Sequence, residues 1–245
     1  MICCTTLRRD PRRPATNRMK AAPSTRAFDV GDHACTVYSS RVQLVRLVSR
    51  FLAEGLERHE LCWYVGPGVD ARPIRSALRR RGHDAERLGH VGALRFLEPD
   101  DVYLLRGEFQ PARPDRVFGD AITRARIDGF RGLRVAVEVS RVASIADAGE
   151  QFIAYEAHAQ PGFAAAPVTG LCLYHRRRLP LRLVNGALLT HPLTTAALGQ
   201  AMVNPFYDRE VAALPATPDR EVVSRLKRLT AMTRQSMRRR LAKLL

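Results

Sequence analysis

Residues 32–40 read Asp-His-Ala-Cys-Thr-Val-Tyr-Ser-Ser, and this stretch decides the fold class that the sequence predicts. Residues 34–38 form a mostly apolar run of strand length, and Ser39 and Ser40 follow as a typical helix start. Apolar side chains then recur at helical spacing up to Gly55. A strand that leads directly into an amphipathic helix is the opening unit of an α/β sheet. In nucleotide-binding relatives of that architecture, this turn holds phosphate.

Further apolar runs alternate with helical patterns along the chain. The predicted strands are 61–65, 94–97, 133–139 and 168–174, and the predicted helices are 70–81, 114–128, 148–159 and 180–189. This alternation predicts a three-layer α/β domain over 27–210, with a mostly parallel sheet of five or more strands. A basic amphipathic helix is predicted within 211–245. Its apolar stripe is Val222, Leu226, Leu229, Thr233, Met237, Leu241 and Leu244.

The net charge of +16 is concentrated at the two ends of the chain. Residues 1–26 hold seven basic residues and one acidic residue, and 211–245 hold nine and two. The body at 27–210 is nearly neutral, with 24 basic and 21 acidic residues. We therefore predict a disordered basic tail at 1–26, and we expect any nucleic-acid contact to come from the tails rather than from the fold.

Composition places the chain among ordinary globular proteins, with 46% hydrophobic and 26% charged residues. No apolar run approaches the roughly 18 residues that span a bilayer, and no export signal is apparent. The five cysteines show neither a CxxC pair nor a disulfide framework. A cytoplasmic protein with reduced thiols is therefore expected.

The sequence lacks the residues that bind and hydrolyse a nucleotide. The turn after the first strand carries no glycine and no lysine, whereas a P-loop requires both. The three lysines, Lys20, Lys227 and Lys243, all lie outside the body. ATP hydrolysis is therefore not expected, and no cofactor is predicted.

Polar side chains collect at the carboxyl ends of the predicted strands, where parallel sheets bind ligands. Glu138 is the most informative, because a carboxylate this close to a buried strand needs a partner or it protonates. A structural ion pair, a ligand-sensing carboxylate and a general base are the alternatives, and no nucleophile accompanies the last.

Histidines and cysteines form a second candidate set: His33, Cys35, Cys172, His175 and His191. These residue types suit zinc, but only His33 and Cys35 are spaced to share a strand face. Core thiols with capping histidines, contact with an organic ligand, and a metal site remain open. No metal site is predicted from the spacing. A cysteine hydrolase is disfavoured because Cys35 lies within a strand rather than on a turn.

The chain resembles the MEDS family, the sensory domain named for methanogen and methylotroph regulators. The resemblance spans about 28–207. It rests on segments 31–38, 51–58, 63–65, 129–140, 155–156, 171–174, 189–192 and 204–207. Arg141 replaces an aromatic residue that commonly follows the Glu-x-Ser segment in the family.

The resemblance implies a RecA/KaiC-like fold that has lost its phosphate loop, and a sensory role in signalling or transcription control. It also implies a set of candidate ligand-binding residues: His33, Cys35, Tyr38, Glu138, Cys172, Tyr174 and His191. We therefore expect a stand-alone, non-enzymatic sensor that binds a small organic ligand at the strand ends. Its regulatory partner is expected to be a kinase, an anti-sigma factor or a transcription regulator. The alternative is an interaction protein with a vestigial pocket, whose basic tails bind nucleic acid or an acidic partner.

Overall fold

The structure is a computed structural model that describes residues 24–145, 148–196, 199–211 and 217–242, apart from the side chain of Arg240. The predicted tail up to residue 23 lies outside the described residues. Thr25 and Arg26, the last residues of that tail in the prediction, instead form a short strand. They pair with Met202 and Ala201, so backbone hydrogen bonding orders them.

The described strands form one eight-stranded sheet and a small hairpin. The sheet strands are β1 Thr25–Arg26, β2 His33–Tyr38, β3 Leu61–Val65, β4 Leu94–Leu97, β7 Leu133–Glu138, β8 Val168–His175, β9 Leu193–Thr195 and β10 Ala201–Val203. The hairpin pairs β5 Leu104–Leu105 with β6 Glu108–Phe109. All five predicted strands are present, and the short elements β1, β5, β6, β9 and β10 carry too little pattern to be predicted.

Spatial order in the sheet is β1-β10-β9-β2-β8-β7-β3-β4. The pairings from β9 through β4 are parallel, and β10 and β1 add an antiparallel edge. The predicted three-layer, mostly parallel α/β class is confirmed. Because parallel strands need crossover connections, helices cover both faces and the central strands are buried throughout.

Nine α-helices lie among the described residues. They are α1 Arg41–Glu57, α2 Ala71–Arg79, α3 Ala85–His90, α4 Pro99–Tyr103, α5 Ala112–Ile127, α6 Ser140–Ala143, α7 Ala148–Ala165, α8 Leu181–Thr190 and α9 Asp219–Ala242. Helix α7 continues past the predicted end at residue 159 and through Pro161. The extra turn carries Phe163, whose ring stacks on His33 at 4.0 Å. Tertiary packing thereby offsets the hydrogen bond that proline removes.

Two hydrophobic cores lie on opposite faces of the sheet. One packs β-strand side chains such as Ala34, Tyr64 and Leu171 against α1 and α2. The other packs Cys35, Val135 and their neighbours against α5, α7 and α8. This division follows from the alternation of side chains along each strand, and it decides which candidate residues can meet.

Helix α1 does not end at Gly55, as the sequence pattern predicts, but continues to Glu57. Glycine is needed there for a close approach. A Cβ at this position would lie 2.4 Å from Arg134 Cδ and 2.7 Å from Cys62 Sγ. The Arg134 side chain is buried inside the sheet, where it forms an ion pair with Glu60.

The predicted apolar stripe of α9 is buried near the start of the helix and exposed near its end. Val222 and Leu229 are buried, whereas Leu241 is 56% exposed, and Leu244 lies outside the described residues. The first half of the helix therefore docks on the body. Asn185 of α8 accepts a hydrogen bond from Arg225 at 2.6 Å and holds the two helices together. Every helix among the described residues is too short or too polar to cross a lipid bilayer.

Candidate functional site

The seven candidate residues do not form one site, because they divide between the two faces of the sheet. His33 and Cys35 point to the α7 side, whereas Tyr38, an odd number of positions further along, points to the α1 side. Glu138 lies on the same side as Tyr38, and the register pairs Cys35 with Cys172. The structure thus forms two polar clusters, one in each layer.

The histidine cluster consists of His33, Glu156, Cys172 and His191, and all four side chains are buried. Each comes from a different element: β2, α7, β8 and the residue after α8. Glu156 Oε2 lies 3.0 Å from His33 Nε2 and 3.4 Å from His191 Nε2. Cys172 Sγ lies 3.5 Å from Glu156 Oε1 and 3.6 Å from His33 Nε2.

Outer contacts orient the two imidazole rings of this cluster. His33 Nδ1 lies 3.1 Å from Gln160 Oε1, and His191 Nδ1 lies 2.9 Å from the Ala187 carbonyl oxygen. Because a backbone carbonyl oxygen only accepts hydrogen bonds, His191 Nδ1 carries a proton. The Nε2 atoms of both rings point to Glu156. The two ring centroids are only 4.2 Å apart.

Burial and mutual charge set the protonation of the histidine cluster. Burial alone would raise the pKa of Glu156, but the two imidazoles that face it, of His191 and His33, outweigh this effect and lower that pKa. Burial, followed by the nearby charge of His191, lowers the pKa of His33. Burial and the charge of Glu156 raise the pKa of the Cys172 thiol. An ionised Glu156 is therefore the centre of the cluster.

Cys35 and Tyr174 border the histidine cluster without joining it. Burial, followed by the charge of Glu156, raises the pKa of Cys35 to about 12. Such a thiol is a poor nucleophile at neutral pH, which argues against hydrolase chemistry. The Tyr174 ring lies 5.9 Å from the ring of His191, and its buried hydroxyl has no hydrogen-bond partner among the described residues.

The Glu138 cluster, formed by Tyr38, Glu138 and Ser140, lies at the carboxyl ends of β2 and β7. Glu138 Oε1 accepts hydrogen bonds from the Tyr38 hydroxyl at 2.8 Å and the Ser140 hydroxyl at 2.5 Å. Glu138 Oε2 is buried and has no such partner among the described residues. Burial raises the pKa of Glu138 against the opposing effect of these hydrogen bonds.

The turn after β2, where phosphate would bind in nucleotide-binding relatives, is occupied by a helix cap and lies beside an ion pair. Ser40 Oγ instead caps α1 by accepting from the Gln43 amide. Asp70 faces the same region and accepts from Tyr64 at 3.3 Å and from Arg41 at 3.0 Å. Arg41 is therefore already paired with a carboxylate.

A cleft opens at the carboxyl end of β2, beside β9, and α9 forms its opposite wall. We call it the α9 cleft; its volume is about 440 Å³. Its lining is rich in hydroxyl groups and includes three arginines, Arg46, Arg176 and Arg234, but no acidic residue. Among the described residues, these arginines form no ion pair with a carboxylate.

None of the seven candidate residues lines the α9 cleft, although their neighbours Val37 and Ser39 do. Glu156 lies in the histidine cluster but is not among the seven residues predicted from the sequence. Its position four residues after the buried Phe152 places it on the inward face of α7, a signal that was available in the sequence. Arg141, the departure from the family pattern, is exposed and forms an ion pair with Asp100 at 3.2 Å.

Comparison with known proteins identifies one family. The family described as "MEDS: MEthanogen/methylotroph, DcmR Sensory domain" matches residues 32–192, about two thirds of the chain. Among the curated proteins, none matches. The solved structures that match include a KaiC-like protein from the hyperthermophilic archaeon Pyrococcus horikoshii OT3, with 10% identity and a TM-score of 0.40. That alignment covers 62% of this chain and 71% of the archaeal chain, and it carries no functional argument.

Proposed function

Since the chain belongs to the MEDS family of sensory domains, we propose that it is a non-enzymatic, cytoplasmic sensor that binds a small organic ligand in the α9 cleft. Ligand binding would regulate a signalling or transcription partner through α9. The observation that carries this proposal is the position of the cleft. It lies at the carboxyl end of a parallel strand, and one of its walls is the helix that extends from the body.

The lining of the cleft favours an anionic ligand. Arg46, Arg176 and Arg234 supply positive charge without an acidic residue to neutralise it. Threonine hydroxyls from β9 and α9 add hydrogen-bond donors and acceptors. A volume of about 440 Å³ accommodates a small molecule. The chemical class that fits is a small organic acid with a carboxylate and an apolar portion.

Ligand binding in this cleft would act directly on α9. A molecule there contacts Thr36 or Thr194 in the sheet and Thr230 or Thr233 in the helix. It therefore binds more tightly when α9 is docked, and occupancy shifts the helix toward that position. The exposed cations of α9 would then be presented to an acidic partner surface in one orientation. Those outside the cleft lining are Arg220, Lys227, Arg228, Arg238 and Arg239.

The same exposed cations favour a second candidate function. In this alternative, the cleft is vestigial and α9, with the basic tails, binds nucleic acid or an acidic protein continuously. The triple variant Lys227→Gln, Arg238→Gln, Arg239→Gln, which leaves the cleft lining intact, distinguishes the two. If it loses binding to nucleic acid or an acidic protein, and no organic acid stabilises the wild type, the interaction protein is supported.

A thermal-shift screen tests the sensor. Small organic acids and matched amines are added to the wild type, Arg176→Gln and the exposed control Arg116→Gln. A ligand at about 100 times its Kd stabilises the wild type and the control by about 2.7 kcal/mol, and Arg176→Gln loses this response. If no organic acid stabilises the wild type, the sensor proposal fails.

A further variant in this screen tests the sequence-based prediction that the ligand contacts the Glu138 cluster. Glu138→Gln keeps the shape of the side chain and removes its charge. A response lost in Glu138→Gln but kept in Arg176→Gln would place the ligand at Glu138 and contradict the α9 cleft.

A further inference from the structure

We propose that the histidine cluster is a binding site for one transition-metal ion of the zinc class, with His33, Glu156, Cys172 and His191 as its four ligands. The sequence predicted no metal site, because these residues come from four separate elements and show no local ligand spacing. The site is distinct from the α9 cleft, and its test does not depend on the proposed ligand.

Three separations within the cluster are close to those around a tetrahedral ion. The four ligand atoms all lie within 4.8 Å of one another. The three separations are 3.0 Å for His33 Nε2 to Glu156 Oε2, 3.4 Å for His191 Nε2 to the same oxygen, and 3.6 Å for Cys172 Sγ to His33 Nε2. Around a tetrahedral Zn²⁺, ligand atoms are about 3.3–3.7 Å apart, as its bond lengths of about 2.0–2.3 Å require.

The outer contacts of both imidazole rings suit metal ligation. His191 Nδ1–H donates to the backbone carbonyl oxygen of Ala187, and His33 Nδ1 lies 3.1 Å from the side-chain oxygen of Gln160. This outer contact is typical of metal-bound histidine, because it fixes the ring and leaves Nε2 free to bind the ion. The Ala187 contact comes from the backbone of α8, which makes the orientation of His191 rigid.

One buried atom in the cluster has no hydrogen bond. His191 Nε2 is fully buried and makes none in the described structure, although a carboxylate oxygen lies 3.4 Å away. Two Nε2 atoms face the single oxygen Glu156 Oε2. Without an ion, the His191 ring must either direct a lone pair at an anion or carry a buried positive charge. A cation between these atoms removes the conflict.

The donor set selects the class of metal. Two imidazole nitrogens, one carboxylate oxygen and one sulfur suit Zn²⁺ or a similar borderline ion, whereas Ca²⁺ and Mg²⁺ require oxygen ligands. With Cys172 as thiolate and Glu156 ionised, the two negative charges balance a divalent cation, and the buried centre is neutral. Binding forms the metal–sulfur bond and releases the thiol proton to solvent. Four protein ligands complete the tetrahedron, which describes a closed, non-catalytic centre.

Cobalt substitution tests the site in the full-length chain. The background carries Cys3→Ser and Cys4→Ser, so that thiols near the N-terminus cannot bind the ion. Titration with Co²⁺ and competition with Zn²⁺ are followed by absorption and by elemental analysis after dialysis. We expect one equivalent of bound metal, the intense visible d–d bands of a tetrahedral site, and a sulfur-to-cobalt charge-transfer band.

A matched pair of buried thiols supplies the variant and its control. Cys35→Ala removes the thiol that is paired with Cys172 in the sheet register but lies outside the ligand set, and it should leave the spectrum unchanged. Cys172→Ala should abolish the charge-transfer band and weaken Zn²⁺ binding more than about tenfold. Circular dichroism checks that both variants fold.

Two outcomes would overturn the proposal. One is a folded parent protein that binds no stoichiometric Co²⁺ or Zn²⁺, which would leave the cluster as a hydrogen-bonded network. The other is a charge-transfer band that persists in Cys172→Ala. The parent spectrum decides the question even if Cys172→Ala does not fold. A negative result here leaves the thermal-shift test of the α9 cleft unaffected.

Discussion

Glu138 has two oxygens in different environments. Oε1 accepts hydrogen bonds from Tyr38 and Ser140, whereas Oε2 is buried without such a partner among the described residues. The sequence predicted that a carboxylate at this position either has a bonding partner or is protonated. The structure shows partial pairing, and burial raises the pKa of Glu138 above its ordinary value. That the residue senses a ligand stays a prediction.

The raised pKa of Glu138 predicts a pH-dependent stability. The folded protein holds this proton more tightly than the unfolded chain, so the stabilising contribution is complete below the unfolded pKa of about 4.3. It is lost as the pH rises through the folded pKa. Glu138→Gln carries no titrating group, and we expect its free energy of unfolding to increase relative to the wild type over that window.

Urea denaturation between about pH 4 and pH 8 measures this difference. Comparison with the wild type cancels the titration of His33 and Glu156, because both proteins contain them. Glu108→Gln, on the exposed hairpin, is the control and should parallel the wild type. Parallel curves for Glu138→Gln as well would show that the pKa of Glu138 is the same in the folded and unfolded states.

Helix α1 contains a glycine whose role depends on tertiary packing and cannot be inferred from the local sequence pattern. Gly55 resembles a helix stop in the sequence, but it lies inside the helix, facing the buried Arg134 and Cys62 side chains. Arg134 is held in place by its ion pair with Glu60 and by the Phe51 ring, 4.7 Å from its guanidinium carbon. Its side chain therefore cannot move away from an added methyl group at low cost.

A pair of glycine substitutions tests this reading of α1. Gly55→Ala places its Cβ against Arg134, whereas Gly119→Ala in α5 meets no atom within 4 Å. Both changes gain about 1 kcal/mol of helix propensity. Overpacking costs about 1–3 kcal/mol, so Gly119→Ala should stabilise the protein and Gly55→Ala should be neutral to destabilising. Chemical denaturation measures both, and equal stabilities would contradict the close approach.

Across the whole molecule, most of the net charge and the buried polar clusters lie in different parts of the sequence. Residues 1–26 and 211–245 contribute +6 and +7 of the net charge of +16, whereas the histidine and Glu138 clusters lie inside a nearly neutral body. The division into a tail, a sensory domain over 27–210 and a terminal helix stays a prediction. The α9 cleft lies where the body and the terminal helix meet.

This separation predicts that polyanion binding depends on α9 rather than on the body. The triple variant Lys227→Gln, Arg238→Gln, Arg239→Gln should elute from heparin at a lower salt concentration than the wild type, because clustered charges create the strongest local potential. The control, Arg80→Gln, Arg81→Gln, Arg116→Gln, removes the same charge from exposed body positions and should shift elution less. Equal shifts would show that only net charge matters.

The sequence alone determined the fold class, the five main strands and the absence of a phosphate loop in the body. These features depend on local composition, hydrophobic period and motif, which a single chain displays directly. Only the tertiary structure decided which candidate residues meet. Because side chains alternate along β2, His33 and Cys35 point to one face of the sheet and Tyr38 points to the other. Residues from four separate elements, His33, Glu156, Cys172 and His191, come together only in the folded chain. The stretch 32–40 therefore contributes side chains to both faces of the sheet, because successive residues of a strand point in opposite directions.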